Sequence, residues 1–413
     1  MSNTQKKNVP ELRFPGFEGE WEEKKLGDLT DRVIRKNKNL ESKKPLTISG
    51  QLGLIDQTEY FSKSVSSKNL ENYTLIKNGE FAYNKSYSNG YPLGAIKRLT
   101  RYDSGVLSSL YICFSIKSEM SKDFMEAYFD STHWYREVSG IAVEGARNHG
   151  LLNVSVNDFF TILIKYPSLE EQQKIGKFFS KLDRQIELEE QKLELLQQQK
   201  KCYMQKIFSQ ELRFKDENGE DYPDWKEKKL GDITEQSMYG IGASATRFDS
   251  KNIYVRITDI DEKSRKLNYQ NLTTPDELNN KYKLKRNDIL FARTGASTGK
   301  SYIHKEEKDI YNYYFAGFLI KFEIDEQNNP LFIYQFTLTS KFNKWVKVMS
   351  VRSGQPGINS EEYAKLPLVL PNKLEQKKIA EFLDRFDQQI ELEKQKIEIL
   401  QQQKKGLLQS MFI

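Results

Sequence analysis

No run of eighteen apolar residues occurs anywhere in the 413-residue chain, so no membrane-spanning helix is expected. The opening MSNTQKKNVPELRF lacks the apolar core of a secretory signal, and the cytoplasm is the expected compartment. Cysteine is nearly absent. Cys113 and Cys202 lie far apart and match no metal or redox spacing, which suits a reducing compartment and argues against a disulfide framework. The three histidines, His133, His149 and His304, are equally scattered and read as packing or surface residues, so no metal site is expected. An excess of one charge is also missing: 64 basic against 58 acidic residues leaves a net charge of +6, too mild to identify a polyanion binder by itself.

Catalytic signatures are missing as well. The string from Gly295 to Ser301, GASTGKS, approaches a phosphate-binding loop but has three residues between its glycines instead of four, with Thr294 where the first glycine belongs. Gly240-Ile-Gly242 lacks the third glycine of a dinucleotide site. There is no Asn/Asp-Pro-Pro-aromatic motif to hold a flipped adenine, and no Ser/His/Asp constellation stands out. A non-catalytic chain without its own cofactor is expected.

What is present is a duplication. Residues 186–201, IELEEQKLELLQQQKK, return at 390–405 as IELEKQKIEILQQQKK, 204 positions later with 13 of 16 residues identical. The repeat has an opening too. Leu-Arg-Phe at residues 12–14 and 212–214 precedes a Trp (Trp21, Trp225) and then Lys-Lys-Leu-Gly-Asp. Between opening and closing modules lie stretches rich in Tyr, Phe, Ile and Thr in short runs broken by Gly, Asn and Ser, read as α+β domains. With 38% hydrophobic residues the chain can bury more than one core. The expected division is an N-terminal segment (1–20), a first domain (21–166), a first long helix (167–210), a second domain (211–370) and a second long helix (371–413). Pro167 and Pro371 end a strand and lead into the helices.

Along the first helix Ile175, Phe179, Leu182, Ile186, Leu193, Leu196, Tyr203 and Ile207 fit a coiled-coil seam, with Glu189 and Lys200 in the two gaps. The second helix gives Ile379, Leu383, Phe386, Ile390, Ile397, Leu400, Leu407 and Met411, with Glu393 and Lys404 in the gaps. About 39 residues at ~1.5 Å each make a rod of nearly 60 Å. Parallel in-register pairing would oppose Glu189 to Glu393 and Lys200 to Lys404. The expected arrangement is therefore an antiparallel intramolecular coiled coil, pseudo-two-fold symmetric, with Glu189 by Lys404 and Lys200 by Glu393 setting the register.

The remaining chemistry lies in basic and small polar residues on expected loops: Asn84, Lys85 and Ser86; Lys97, Arg98 and Arg101; Arg147 and Asn148 beside His149; Arg247 and Arg256; Arg293, Thr294, Ser297, Thr298 and Lys300; then Arg352 and Gln355. Arg suits guanine and Gln or Asn suits adenine, while Lys and Ser commonly hold phosphates. Lys85 and Arg293 share a context, each following a turn (Gly79-Glu80, Asn287-Asp288) and an apolar strand.

Tandem copies of a variable domain followed by Pro, Glu-Gln, Ile and a long helix (Pro167, Glu171-Gln172, Ile175; Pro371, Glu375-Gln376, Ile379) resemble the specificity subunit of type I restriction-modification enzymes. The resemblance implies two target-recognition domains, each reading one half of an asymmetric bipartite site on double-stranded DNA. It implies that the helices set the spacer and dock two modification subunits, and that restriction subunits join the complex. S-adenosylmethionine, ATP and Mg would belong to those partners, for adenine-N6 methylation and ATP-dependent cleavage. Gly354-Gln355 fits the family pattern, whereas the first copy has Gly150-Leu151, so Gln355 alone is carried over as base-proximal. A coiled-coil scaffold with two non-DNA binding modules is the competing reading, and a P-loop NTPase a third.

Overall fold

A computed structural model describes residues 8–413 apart from 51, 62–68, 87–89, 143–151, 153, 263 and 306–309. The chain divides into two compact units, Met1–Gln191 with Glu393–Ile413, and Lys192–Leu392. Each unit takes part of both long helices, which run over Leu169–Phe208 and Lys373–Met411.

In the first unit β1 (Glu22–Lys25) pairs antiparallel with β6 (Leu163–Tyr166), so the first and last strands of the domain meet beside Pro167. Within this clasp β2 (Thr30–Arg32), β5 (Tyr111–Ile116), β3 (Phe81–Asn84) and β4 (Ala95–Arg98) form an antiparallel sheet in that order. Alternate residues face opposite sides of a strand, and both sides are covered. Phe81, Tyr83, Ile112 and Phe114 join a core with α1 (Lys122–Asp130) and α2 (Val156–Phe159), while Ala82 and Cys113 face a second core with Leu46, Leu54 and Leu107.

The second unit repeats this plan. Its clasp is β7 (Lys226–Lys229) with β12 (Pro367–Leu370). Its sheet runs β8 (Thr234–Tyr239), β11 (Leu319–Ile324), β9 (Ile289–Ala292), β10 (Ser301–Ile303), the same order as in the first unit. Ile289 and Phe291 face a core with α3 (Pro330–Phe336), α4 (Ser340–Met349) and α5 (Ser360–Ala364), and Leu290 and Ala292 face the other side. The α+β reading and the duplication therefore extend to the sheet topology.

The Glu-Gln pair at each helix start has a mechanical role. Glu171 accepts two bonds of 2.7 Å from the Arg13 guanidinium, and Glu375 accepts from Arg213 at 2.8 and 3.3 Å and from the Trp225 indole N–H at 3.2 Å. Both carboxylates are buried. The repeated Leu-Arg-Phe is the arm that brings those arginines. In each unit it also bonds the end of a long helix: Leu12 N–H to the Ser410 carbonyl at 2.8 Å, Leu212 N–H to the Lys206 carbonyl at 3.0 Å. Gln172 accepts the N–H of Ser121 and donates to the Pro167 carbonyl, and Gln376 does the same with Asn329 and Pro371. Ser121 and Asn329 are the N-caps of α1 and α3. One amide thus ties the first turn of each long helix to the domain it carries.

The helices pair antiparallel in each unit. Phe179 stacks near Phe412 and Glu189 meets Lys396 at 2.5 Å in the first, while Tyr203 packs on Phe382 and Phe386 in the second. Three seam details differ from expectation. Lys404 does not meet Glu189; it bonds Asp183 at 2.6 Å and Asp130 of α1 at 2.7 Å. Lys200 takes Asp387 at 2.6 Å, where Glu393 was expected. Asp183 and Asp387 flank the seam at matching repeat positions and stay 45% and 33% exposed, so they pair with a seam lysine at a smaller desolvation cost than a seam glutamate would pay. At the end of the first helix Met204 is buried, and Tyr203 sits at the seam's margin.

Asp130 is clamped by Lys97 as well as Lys404. Burial alone would raise its carboxyl, yet the two ammonium groups outweigh burial and hold it at about 2. A close approach in the same unit is testable. A Cβ on Gly176 would lie 2.6 Å from the backbone N of Phe124, whereas the second copy carries the buried Ala380 at that repeat position. Gly176→Ala is expected to destabilise the first unit by about 1–3 kcal/mol, despite the ~1 kcal/mol that alanine gains in a helix. Urea denaturation measures this, and a stabilised variant would contradict the tight contact.

Candidate nucleic-acid interface

The turns before β3 and β9 are built alike. Gly79 and Asn287 both adopt positive φ, 82° and 73°, a region open to Gly and tolerated by Asn. The following acids close the turns, Glu80 accepting the Lys77 N–H at 2.7 Å and Asp288 that of Lys285 at 2.8 Å. Each strand therefore leaves a fixed turn and delivers the next side chain, Lys85 or Arg293, at the same point of its sheet.

In the second unit two candidate segments are brought together there. The Arg293 carbonyl accepts the Ile358 N–H at 2.9 Å, the Gly295 N–H bonds the Pro356 carbonyl at 2.9 Å, and Thr294 forms a bridge with Gly357. The Thr298 hydroxyl donates to the Gly295 carbonyl at 2.7 Å and lies 3.2 Å from that of Pro356. Thr294 and Gln355 are exposed on this double loop, with Arg293 and Ser297 half-buried. The Arg293 guanidinium sits 5.0 Å over the Tyr239 ring, and the Tyr239 hydroxyl accepts the Ser360 N–H. Among the described residues no carboxylate forms an ion pair with Arg293. A planar cation beside exposed amide and hydroxyl side chains suits base edges and phosphates.

The first unit makes the corresponding junction. The Lys85 carbonyl accepts the Leu152 N–H at 3.0 Å, the Lys85 ammonium lies 3.4 Å from the Val154 carbonyl, and Asn84 accepts the Ser86 N–H. Arg147 and Asn148 lie outside the described residues. Arg101 is exposed and lines an open polar cleft of about 640 Å³ with Lys43, Lys44 and Tyr102.

Other candidates have acidic partners within their own unit. Lys97 is committed to Asp130, and Arg98 to Asp123 and Glu126 at 2.7 and 2.6 Å. Arg256 bonds Asp259 through two nitrogens, and Arg352 pairs with Glu362 at 2.5 Å. Each of these cations is already paired with a carboxylate. Arg247 is exposed on a short strand, and Lys300 reaches the Ile260 carbonyl at 3.4 Å. The nucleotide-hydrolysis reading fails on backbone grounds. Residues 295–297 make one 3₁₀ turn and the chain enters β10 at Ser301, whereas a phosphate loop opens a helix whose N–H groups receive the anion.

Two tyrosines escaped the sequence. Tyr239 supports Arg293 from a strand whose pattern gives no such hint. Buried Tyr363 donates to the Ala292 carbonyl at 2.7 Å and accepts the Gly299 N–H at 3.1 Å, clasping both ends of the loop. The first copy has Phe159 at the matching position, so the repeat offered no signal.

Two copies of an α+β head, each carried on antiparallel helices and presenting a junction of polar loops, define a duplicated recognition protein. No group of three or more His, Cys, Asp or Glu able to hold a metal, and no helix long and apolar enough to cross a membrane, occurs among the described residues. The chain belongs to the type I restriction-modification DNA specificity family, whose model matches residues 18–198 and again 222–402. It is thus a type I restriction-modification specificity subunit with two tandem recognition domains. It is 26% identical over 427 residues to the MjaVIII specificity subunit of Methanocaldococcus jannaschii, covering 97% of this chain and 93% of the relative. It is 28% identical over 201 residues to the HindI specificity subunit of Haemophilus influenzae, covering 46% and 41%. Its fold is shared with the restriction-modification S subunit from M. genitalium at a TM-score of 0.63 and 16% identity, over 98% of this chain and 99% of that one.

Proposed function

We propose that each recognition domain reads one half of an asymmetric bipartite sequence on double-stranded DNA, and that the two long helices set the unread spacer and dock two modification subunits. The observation that carries this reading is the repeated junction: the same strand in the same sheet position ends at Lys85 in one unit and Arg293 in the other, each joined to the segment before the clasp. The partners would bring S-adenosylmethionine and methylate adenine N6 in each half. Restriction subunits with ATP and Mg would add cleavage, all in the cytoplasm. A mild net charge of +6 fits a chain whose partners share the phosphate contacts.

Gel shift of the chain assembled with its modification subunits, at stated salt, tests this. A specific site is expected to bind at least ~10³-fold tighter than random duplex, with affinity falling as salt rises. A complex that assembles but binds no duplex would favour the non-DNA scaffold.

A further inference from the structure

We infer that Arg293 is a base-reading residue of the second recognition domain, presented to the O6 and N7 acceptors of a guanine in the major groove, and that the Tyr363 hydroxyl positions it. This rests on the DNA-reading assignment proposed above and adds the residue and the base.

Two observations separate Arg293 from the other cations. Lys97, Arg98, Arg256 and Arg352 are paired with carboxylates, whereas Arg293 is not, among the described residues. Its guanidinium lies 5.0 Å over the Tyr239 ring, a contact that restricts the side chain and lowers the rotamer entropy lost on binding. A planar fork held in one orientation matches a paired acceptor edge, and among base edges in the major groove guanine presents two acceptors side by side. A phosphate also presents two oxygens, and the test separates the two.

Precision at a base edge needs a loop that does not drift. The Arg293 backbone is held by the Phe318 carbonyl and the Ile358 N–H. The turn that follows is closed by Tyr363, whose one hydroxyl bonds Ala292 before the loop and Gly299 within it. Gly299 has φ 87°, and a Cβ there would lie 2.5 Å from Val346, so the loop is confined on its inner side too. Phe159 in the first copy lacks the hydroxyl and stacks on Tyr83 at 4.8 Å, so this latch belongs to the second domain alone. Tyr363 is a positioning residue, acting through Arg293.

The experiment uses the full chain with its modification subunits, assayed for binding and methylation on a randomised duplex library. The wild-type motif is expected to contain a G·C pair in the half read by the second domain. Arg293→Lys and Arg293→Gln are expected to relax that one position by roughly 10- to 100-fold and leave the other half unchanged. Tyr363→Phe is expected to weaken discrimination at the same position by a smaller factor, with Arg293→Lys adding little on top, because both act on one contact. An even loss across sequences with a salt slope reduced by ~1 would mark a phosphate contact and overturn base reading. A half without G·C, or unchanged specificity in folded variants, overturns it equally. Unchanged specificity in Tyr363→Phe alone overturns the latch. A wild-type complex with no sequence preference would instead defeat the DNA-reading assignment itself.

Discussion

Inserting one heptad before Gln197 and another before Ile390 is expected to lengthen the spacer of the methylated sequence by about three base pairs while both half-sequences stay the same. The two sites face each other. Lys200 meets Asp387 in the antiparallel pair, so each step along one helix is matched by a step back along the other, and residue 197 lies opposite residue 390. Seven residues add ~10.5 Å to each helix and preserve the seam. B-DNA rises ~3.4 Å per base pair along a strand, which gives the three. Distance is not the only variable, because three base pairs also carry roughly 100° of twist at ~10.5 base pairs per turn. The DNA or the domains must absorb that rotation, so the one-heptad variant is expected to methylate its new site more weakly. Three heptads at each point add ~31 Å, close to one full turn, and are expected to restore part of the lost affinity. Methylation mapping reads both quantities. An unchanged spacer in a folded variant would refute the measuring role of the helices.

The long helices were legible because their signal is periodic and repeated. The seam residues from Ile175 to Leu196 are all buried or half-buried, and Pro167 and Pro371 stand where the clasp strands end. Direction followed from avoiding like charges, yet the contacts did not. Lys200 and Lys404 reach one position outside the seam to Asp387 and Asp183, and Lys404 reaches Asp130 besides. A heptad analysis sees one helix pair. It does not see the domain packed against it.

The candidate interface was half legible for a related reason. A basic residue after a turn and an apolar strand marked Lys85 and Arg293 correctly as equivalent positions, because strand ends are local features. Whether a cation is free is decided by acids on other elements: Lys97 by Asp130, Arg98 by Glu126, Arg352 by Glu362. Tyr363 was invisible because its effect is a single hydroxyl on a residue that otherwise packs like Phe159.

Arg213→Ala is expected to cost the second unit about 3–5 kcal/mol, the range for removing one partner of a buried pair. The Glu375 carboxylate is 0% exposed and holds two bonds from Arg213 and one from Trp225. Without the guanidinium it keeps only the indole N–H. The cost therefore lies in the stranded carboxylate more than in the lost bond. Removing both partners separates the two contributions: Arg213→Ala with Glu375→Met leaves no charge to strand, and is expected to recover most of the loss. The first copy supplies a control, since Arg13 and Glu171 form the same pair in the other unit. Hydrogen exchange resolved along the chain reads the two units separately, and the loss of protection is expected across β7–β12 and α3 while β1–β6 stay protected. Should the double variant lose as much as Arg213→Ala alone, the arm's packing, and not the ion pair, would be what fixes each domain to its helix.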